Sequence, residues 1–306
     1  MMLVDHREHI KKVIFLVILN ILSACTPSDE GPYKNGLSSL KNSNFKESIV
    51  SFKQSTLINP NGKYALLSAK EGAKVAYYEL KDFESAIYFL KNIVVISNLH
   101  EERISAQRQM VSIYFTNLND YKNSIIEINR LLSMTEDQDE KEKLKEKLAR
   151  SYFYMNNFIQ AQSEAEEVIR TGKDQETIFQ MLALKGNIFL AKKNIQQASD
   201  VFHEILKKYP DKAVKENIAS TLAVAYEEMK DYKKAVKSFE SLLKLPDYPT
   251  PHLAYYYMGR VYSESKEPKA KEKAIQAFRK AIELKPDFTD AVISLGNLLT
   301  KLDKPQ

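Results

Sequence analysis

The chain has 306 residues with eight glycines and ten prolines, about half of the ~12% that globular chains carry. Turn-dense β-sandwiches and barrels need more of both to reverse direction. A composition of 28% charged and 44% hydrophobic residues, evenly spread, fits neither a disordered tail nor a polytopic membrane protein. The net charge of +5 is small beside 45 basic and 40 acidic residues. Stretches such as Lys141-Glu142-Lys143-Leu144-Lys145-Glu146-Lys147 alternate sign like a solvated helix face, which argues against nucleic-acid binding.

Arg7, Lys11 and Lys12 precede the apolar run Val13-Ile14-Phe15-Leu16-Val17-Ile18-Leu19-Asn20-Ile21-Leu22. As a helix that run reaches about 15 Å, half of a ~30 Å hydrocarbon core, so it is too short to span and suits the apolar region of a secretory signal. Leu22-Ser23-Ala24-Cys25 follows: an aliphatic residue, two small ones, then a cysteine. All four positions resemble the lipobox of bacterial lipoproteins. That resemblance implies removal of residues 1–24, a diacylglyceryl group on the Cys25 sulfur, and a membrane anchor through it. Residues 25–32 then form the lipidated cysteine and a short linker. Cys25 is the single cysteine, so no intrachain disulfide can form. Thr26, rather than an aspartate, follows it, which points to the outer membrane facing the periplasm.

From there on the chain repeats. Small residues recur at Ser48, Ala86, Ser124, Ala161, Ala198, Ala235 and Ala274, at spacings of 37 to 39. Three residues before the first six stand Phe45, Phe83, Tyr121, Phe158, Ile195 and Tyr232, and one residue earlier still an Asn or Asp. Four residues after the small positions come Phe52, Leu90, Ile128, Ala165, Phe202, Phe239 and Phe278. Asn or Asp tolerates a left-handed turn and caps the next helix, and the small residue lets two helix backbones approach. Gly186, Ala223 and Gly259 are the matching small residues on first helices, with Phe189, Tyr226 and Tyr262 three residues on. Among the first three repeats only Gly36 is expected at that position.

Units such as Gly186…Phe189…Ala198…Phe202…Pro210 and Met258-Gly259…Tyr262…Ala274…Phe278…Ala281…Pro286 resemble the tetratricopeptide repeat. The resemblance covers residues 33–302 and implies an all-α fold, an α-solenoid of about seven antiparallel helix pairs with a C-terminal capping helix and a tail at 303–306. Larger residues, Ile93, Leu131, Val168, Ile205 and Leu242, stand where the family usually has Ala. The seventh unit carries an insertion around Glu267-Pro268-Lys269. The last helix is expected to seat Val292, Leu295, Leu299 and Leu302 on that unit.

Chemistry is sparse. No glycine-rich phosphate loop and no G-x-S-x-G occurs, and His100-Glu101 lacks a second histidine one turn on, since Ile104 stands there. His203 and His252 lie in different repeats, so no metal and no cofactor is expected, and the chain reads as a binding protein rather than an enzyme. In the family, the first helices line a concave wall that holds an extended peptide or a partner helix. Carried over, the groove positions are Arg150, Phe153 and Tyr154 in the fourth repeat, Asn187 in the fifth, and Tyr256, Arg260 and Asn297 further on. An Asn there can bond a peptide backbone and an Arg can grip a carboxylate. The layout is similar to the lipoprotein partner of the outer-membrane β-barrel assembly machine and to pilotin-type lipoproteins. An accessory of polysaccharide export and an enzyme with an unrecognised site are the alternatives.

Overall fold

The computed structural model describes residues 28–215, 218, 221–222, 225–226, 230–244, 248 and 250–302. The lipobox with Cys25, Ala223 and the tail at 303–306 lie outside the described residues. Those described form helices and no strand, in two units divided after Asp137.

In the first unit, α1 (Glu30–Lys41) pairs with α2 (Phe45–Ile58), α3 (Lys63–Lys74) with α4 (Phe83–Ile96), and α5 (His100–Ser112) with α6 (Tyr121–Met134). In the second, α7 (Gln138–Tyr154) pairs with α8 (Phe158–Thr171), and α9 (Gln175–Ala191) with α10 (Ile195–Lys208). The sixth repeat contributes α11 (Pro210–Lys215) and α12 (Tyr232–Leu243). After these, α13 (Pro251–Glu264) pairs with α14 (Ala270–Leu284), and α15 (Thr289–Leu302) packs on α14. The first helix starts at Glu30, inside the stretch expected to be linker.

In the first six repeats one residue both closes the first helix and opens the second. The backbone N–H of Asn44 donates to Ser39 O at 2.8 Å, that of Asn157 to Tyr152 O at 2.9 Å, and that of Asn194 to Phe189 O at 2.8 Å. This is the terminating bond of a Schellman turn. Such a turn needs a left-handed residue, and sequence reasoning assigned that role to the Asn or Asp. The residue before it takes the role instead: Ser43, Lys81, Asn119, Asn156, Lys193 and Lys230 have φ between 51° and 60°. The Asn or Asp keeps negative φ, and the side chains of Asp82, Asp120, Asn194 and Asp231 cap the second helix. Asp82 accepts from Ser85 N at 3.0 Å, Asp120 from Asn123 N at 3.1 Å, and Asp231 from Lys234 N at 3.2 Å.

The repeats spaced by 38 rather than 37 absorb their extra residue in π-helical turns, Val75–Leu80 and Ile113–Asn117. There Asp82 N and Asp120 N reach one residue further back, to Ala76 O and Tyr114 O, both at 2.8 Å. The seventh-repeat insertion becomes the loop before α14, with Lys269 left-handed at its end.

All seven recurrent small residues, Ser48 to Ala274, are fully buried, and Phe52, Phe202, Phe239 and Phe278 are buried one turn later. Each such ring removed from water contributes about 1.5–3 kcal/mol. Ile93, Leu131, Val168, Ile205 and Leu242 are buried as well. Gly36, Gly186 and Gly259 face the rings of Phe52, Phe202 and Phe278. Gly72 does the same for Phe89, with a hypothetical Cβ only 2.5 Å from the ring, so the first unit has a second glycine seat that the sequence pattern did not mark. The π-helical turn after α3 shifts the register, and the ring arrives from Phe89 rather than from residue 90.

The last helix seats differently from expectation. Ala291 and Leu298 are its buried residues, Leu298 packing with Ala274 and Phe278, while Leu295 is half-buried. Val292, Leu299 and Leu302 are exposed. The arc centred on Leu298 fits the seat offered by α14, and a helix can present only one arc to it.

Candidate functional site

Within each unit, neighbouring first helices flank the second helix between them, and grooves open there. In the second unit one such groove runs between α13 and α15 over the start of α14. It is an open cavity of about 610 Å³ lined by Arg260, Ser263, Glu264, Lys271, Phe278, Ser294, Asn297, Leu298, Lys301 and Leu302. Arg260, Lys271 and Lys301 face a single carboxylate among these lining residues, Glu264, which makes the groove cationic. The Arg260 guanidinium lies 6.0 Å over the Tyr256 ring. Tyr256 in turn packs 5.0 Å from Phe288 and 6.0 Å from Phe278, so it is the platform for Arg260.

Of the seven groove positions taken from the sequence, the structure thus brings Arg260 and Asn297 onto one cavity with Tyr256 behind. The fourth-repeat residues behave differently. Arg150 Nε donates to Glu146 Oε1 at 2.9 Å and Nη2 donates to Gln180 Oε1 at 3.0 Å, so this guanidinium already links α7 to α9. Phe153 packs 5.9 Å from Phe158 inside its own helix pair. Tyr154 and Asn187 are exposed on α7 and α9. Lys271 and Lys301 were not found from sequence. Lys301 is one turn beyond Asn297 on the same face, a spacing that was available, whereas Lys271 comes from the insertion-bearing loop end, whose register the repeat does not predict.

The first unit holds a smaller groove of the same kind, a cavity of about 220 Å³ between α3 and α5 lined by Lys70, Ala73, Lys74, Leu90, Ile93, Glu102, Ser105, Ala106 and Gln109. It is bridged: Lys70 Nζ bonds Glu102 Oε1 at 2.5 Å, and Ser97 Oγ donates to Glu102 Oε2 at 2.7 Å. Hydrogen bonds from Lys70, then Ser97, hold the Glu102 carboxyl below the usual carboxylate range. Among the described residues no three His, Cys, Asp or Glu gather as metal ligands, and no helix is long and apolar enough to cross a membrane.

Helix pairs stacked through a small residue and a buried ring, with grooves along the row of first helices, define an α-solenoid. Models described as tetratricopeptide repeat match residues 184–212, 221–248 and 253–288. These segments of the chain are tetratricopeptide repeats. No curated protein matches it significantly. Among solved structures, the C-terminal part of a TPR repeat-containing protein from Cytophaga hutchinsonii is similar at 16% identity, with a TM-score of 0.52 over 86% of this chain and 99% of that one. A tetratricopeptide repeat protein from Parabacteroides merdae is similar at 13% identity, with a TM-score of 0.43 over 89% of this chain and 98% of that one.

Proposed function

We propose that the chain is a lipoprotein, anchored through Cys25 in the bacterial outer membrane and facing the periplasm, whose repeats scaffold an envelope complex of the pilus-secretin or β-barrel assembly type. Tetratricopeptide repeat proteins act in protein–protein interaction, and the cationic Arg260–Asn297 groove is the observation that carries this reading here. An acidic segment laid along it meets Arg260 and Lys301 for its carboxylates and Asn297 for its backbone amides.

The position of the lipobox supports the anchor. Asp29 is buried at the start of the array: its Oδ2 accepts from Ala65 N at 2.8 Å, and its carbonyl accepts from Ser55 Oγ at 2.9 Å. The stretch from Cys25 to Asp29 reaches at most about 14 Å when extended. A lipid on Cys25 therefore holds the first repeat against the bilayer surface.

Two measurements test the two halves separately. Mass spectrometry of the N-terminal peptide from membranes is expected to show a diacylglyceryl adduct on Cys25, lost in Cys25→Ala. An unmodified Cys25 removes the anchor. A photo-crosslinking amino acid at Asn297 is expected to capture an envelope protein, and Arg260→Glu to suppress that capture while helicity is kept. Capture unchanged by Arg260→Glu removes the groove.

A further inference from the structure

The second helices of the first unit show solvent a different outer face from those of the second unit. Two residues and nine residues after each recurrent small residue, a second helix points outward. In the first unit these places hold Val50, Tyr88 and Ile126, then Leu57, Val95 and Ser133. In the second unit the first place holds Ser163, Asp200, Lys237 and Gln276, all exposed. The second place there holds Arg170, Lys207, Lys244 and Glu283, exposed as well. Five of six are apolar in the first unit and none of eight in the second, so the apolar face belongs to the first unit and is not demanded by the repeat. Val50 is 66%, Leu57 69% and Val95 80% exposed. These three share one surface, because α2 and α4 are tied side by side: Lys53 Nζ donates to Ser85 Oγ at 2.8 Å, and the Thr56 and Tyr88 hydroxyls bond at 2.9 Å. Exposed lysines stand one turn before the aliphatic residues, Lys46 before Val50 and Lys91 before Val95. On the two helices Lys46, Lys53 and Lys91 outnumber Glu47 and Glu84.

We propose that this face of α2 and α4 lies on the lipid surface of the membrane that holds the chain, with its aliphatic tips among the headgroups and its lysines on their phosphates. The inference rests on the Cys25 anchor and is independent of the cationic groove. The place where that anchor is fastened selects lipid as the occupant. The Asp29 carbonyl accepts from Ser55 Oγ at 2.9 Å, and Ser55 lies on α2 two residues before Leu57. The stretch from Cys25 to Asp29 reaches at most about 14 Å, more than the ~10–12 Å diameter of one helix. A lipid on Cys25 thus reaches round α2 to its outer face and sets the bilayer beside Val50 and Leu57. Aliphatic residues with lysines one turn away match acyl chains beneath phosphate headgroups, because the lysine stem lies along the apolar surface while its ammonium stays in the polar layer.

The test uses the full chain, purified from membranes and reconstituted into vesicles of phosphatidylethanolamine and phosphatidylglycerol. A nitrobenzoxadiazole label is placed on Leu57→Cys, on Val95→Cys or, as the control in the second unit, on Lys207→Cys. A lipidated Cys25 has no thiol to label, so the unsubstituted chain reads the anchor separately. Labels at positions 57 and 95 are expected to shift their emission to the blue. Lipids carrying a nitroxide near the headgroup are expected to quench them at least about twofold more than the label at position 207, as suits side chains held about 5–10 Å into the interface. Equal, water-like emission at all three positions of a chain whose Cys25 takes no label overturns the surface and leaves the anchor standing. A blue shift without lipid quenching overturns it too, since a second copy or another protein then covers the face. Uptake of label by the unsubstituted chain removes the anchor, and the proposal with it.

Discussion

The same substitution at two glycines of equal register separates helix propensity from packing. Alanine replaces glycine in a helix interior with a gain of about 1 kcal/mol, because it loses less backbone entropy on folding. At Gly296 nothing lies within 4 Å of the new methyl, so Gly296→Ala is expected to stabilise by close to that amount. At Gly259 the methyl would stand 2.6 Å from the Phe278 ring. That ring is fully buried between Ala274, Leu298 and the Tyr256 ring, so it has nowhere to turn. Overpacking a filled core costs about 1–3 kcal/mol, which leaves Gly259→Ala destabilised by roughly 0–2 kcal/mol after the propensity gain. The two variants should therefore differ by about 1–3 kcal/mol. Urea unfolding followed by far-UV circular dichroism reads the difference, and native-state hydrogen exchange of the α13–α15 amides assigns it to the right helices. Equal shifts of the same sign at both positions would refute the claim that the glycines are seats for aromatic rings.

Other positions give independent tests. Lys193 is left-handed at φ 58°; Lys193→Gly relieves that conformation and, net of glycine's unfolded-state entropy, should raise stability by about 0.5 kcal/mol, seen as a higher urea midpoint. Phe202→Ala should cost about 3–5 kcal/mol, and adding Gly186→Leu, which projects into the vacated space, should recover part of it in a double-mutant cycle. The Asp174 carboxyl is held below its ordinary value by hydrogen bonds from the Thr177 hydroxyl and then the Thr177 N–H. A depressed folded-state value means that its contribution is present above the unfolded-state pKa and fades as pH falls through the folded one. Asp174→Asn should therefore lower stability at neutral pH and flatten the acid limb of the stability profile, measured as urea midpoints across that range.

Much of the fold was legible because a repeat writes the same local physics several times. The Asn or Asp before six second helices, the small buried residue in seven and the ring one turn later in four are each specified within a few residues, and that repetition makes the register unmistakable. The Asp carboxylates bond N–H groups three residues on, a distance the chain order alone supplies. Arg260 and Asn297 could be placed on one face for the same reason, since helical spacing carries from repeat to repeat.

What needed the tertiary structure depends on residues far apart in the chain. Whether a π-helical turn or a loop absorbs an extra residue, and hence that Phe89 meets Gly72, is decided by where the partner helix sits. The Glu146 and Gln180 contacts that occupy Arg150 come from its own helix and from the next first helix, and only the packing of α7 against α9 brings Gln180 within reach. The last helix shows the division most plainly. Its sequence put Val292, Leu295, Leu299 and Leu302 at helical spacing on one side, with Leu298 apolar beside them. The seat offered by Ala274 and Phe278 then selected Ala291 and Leu298 for burial, because one helix can turn only one arc toward a neighbour, and Gly296 was left facing outward.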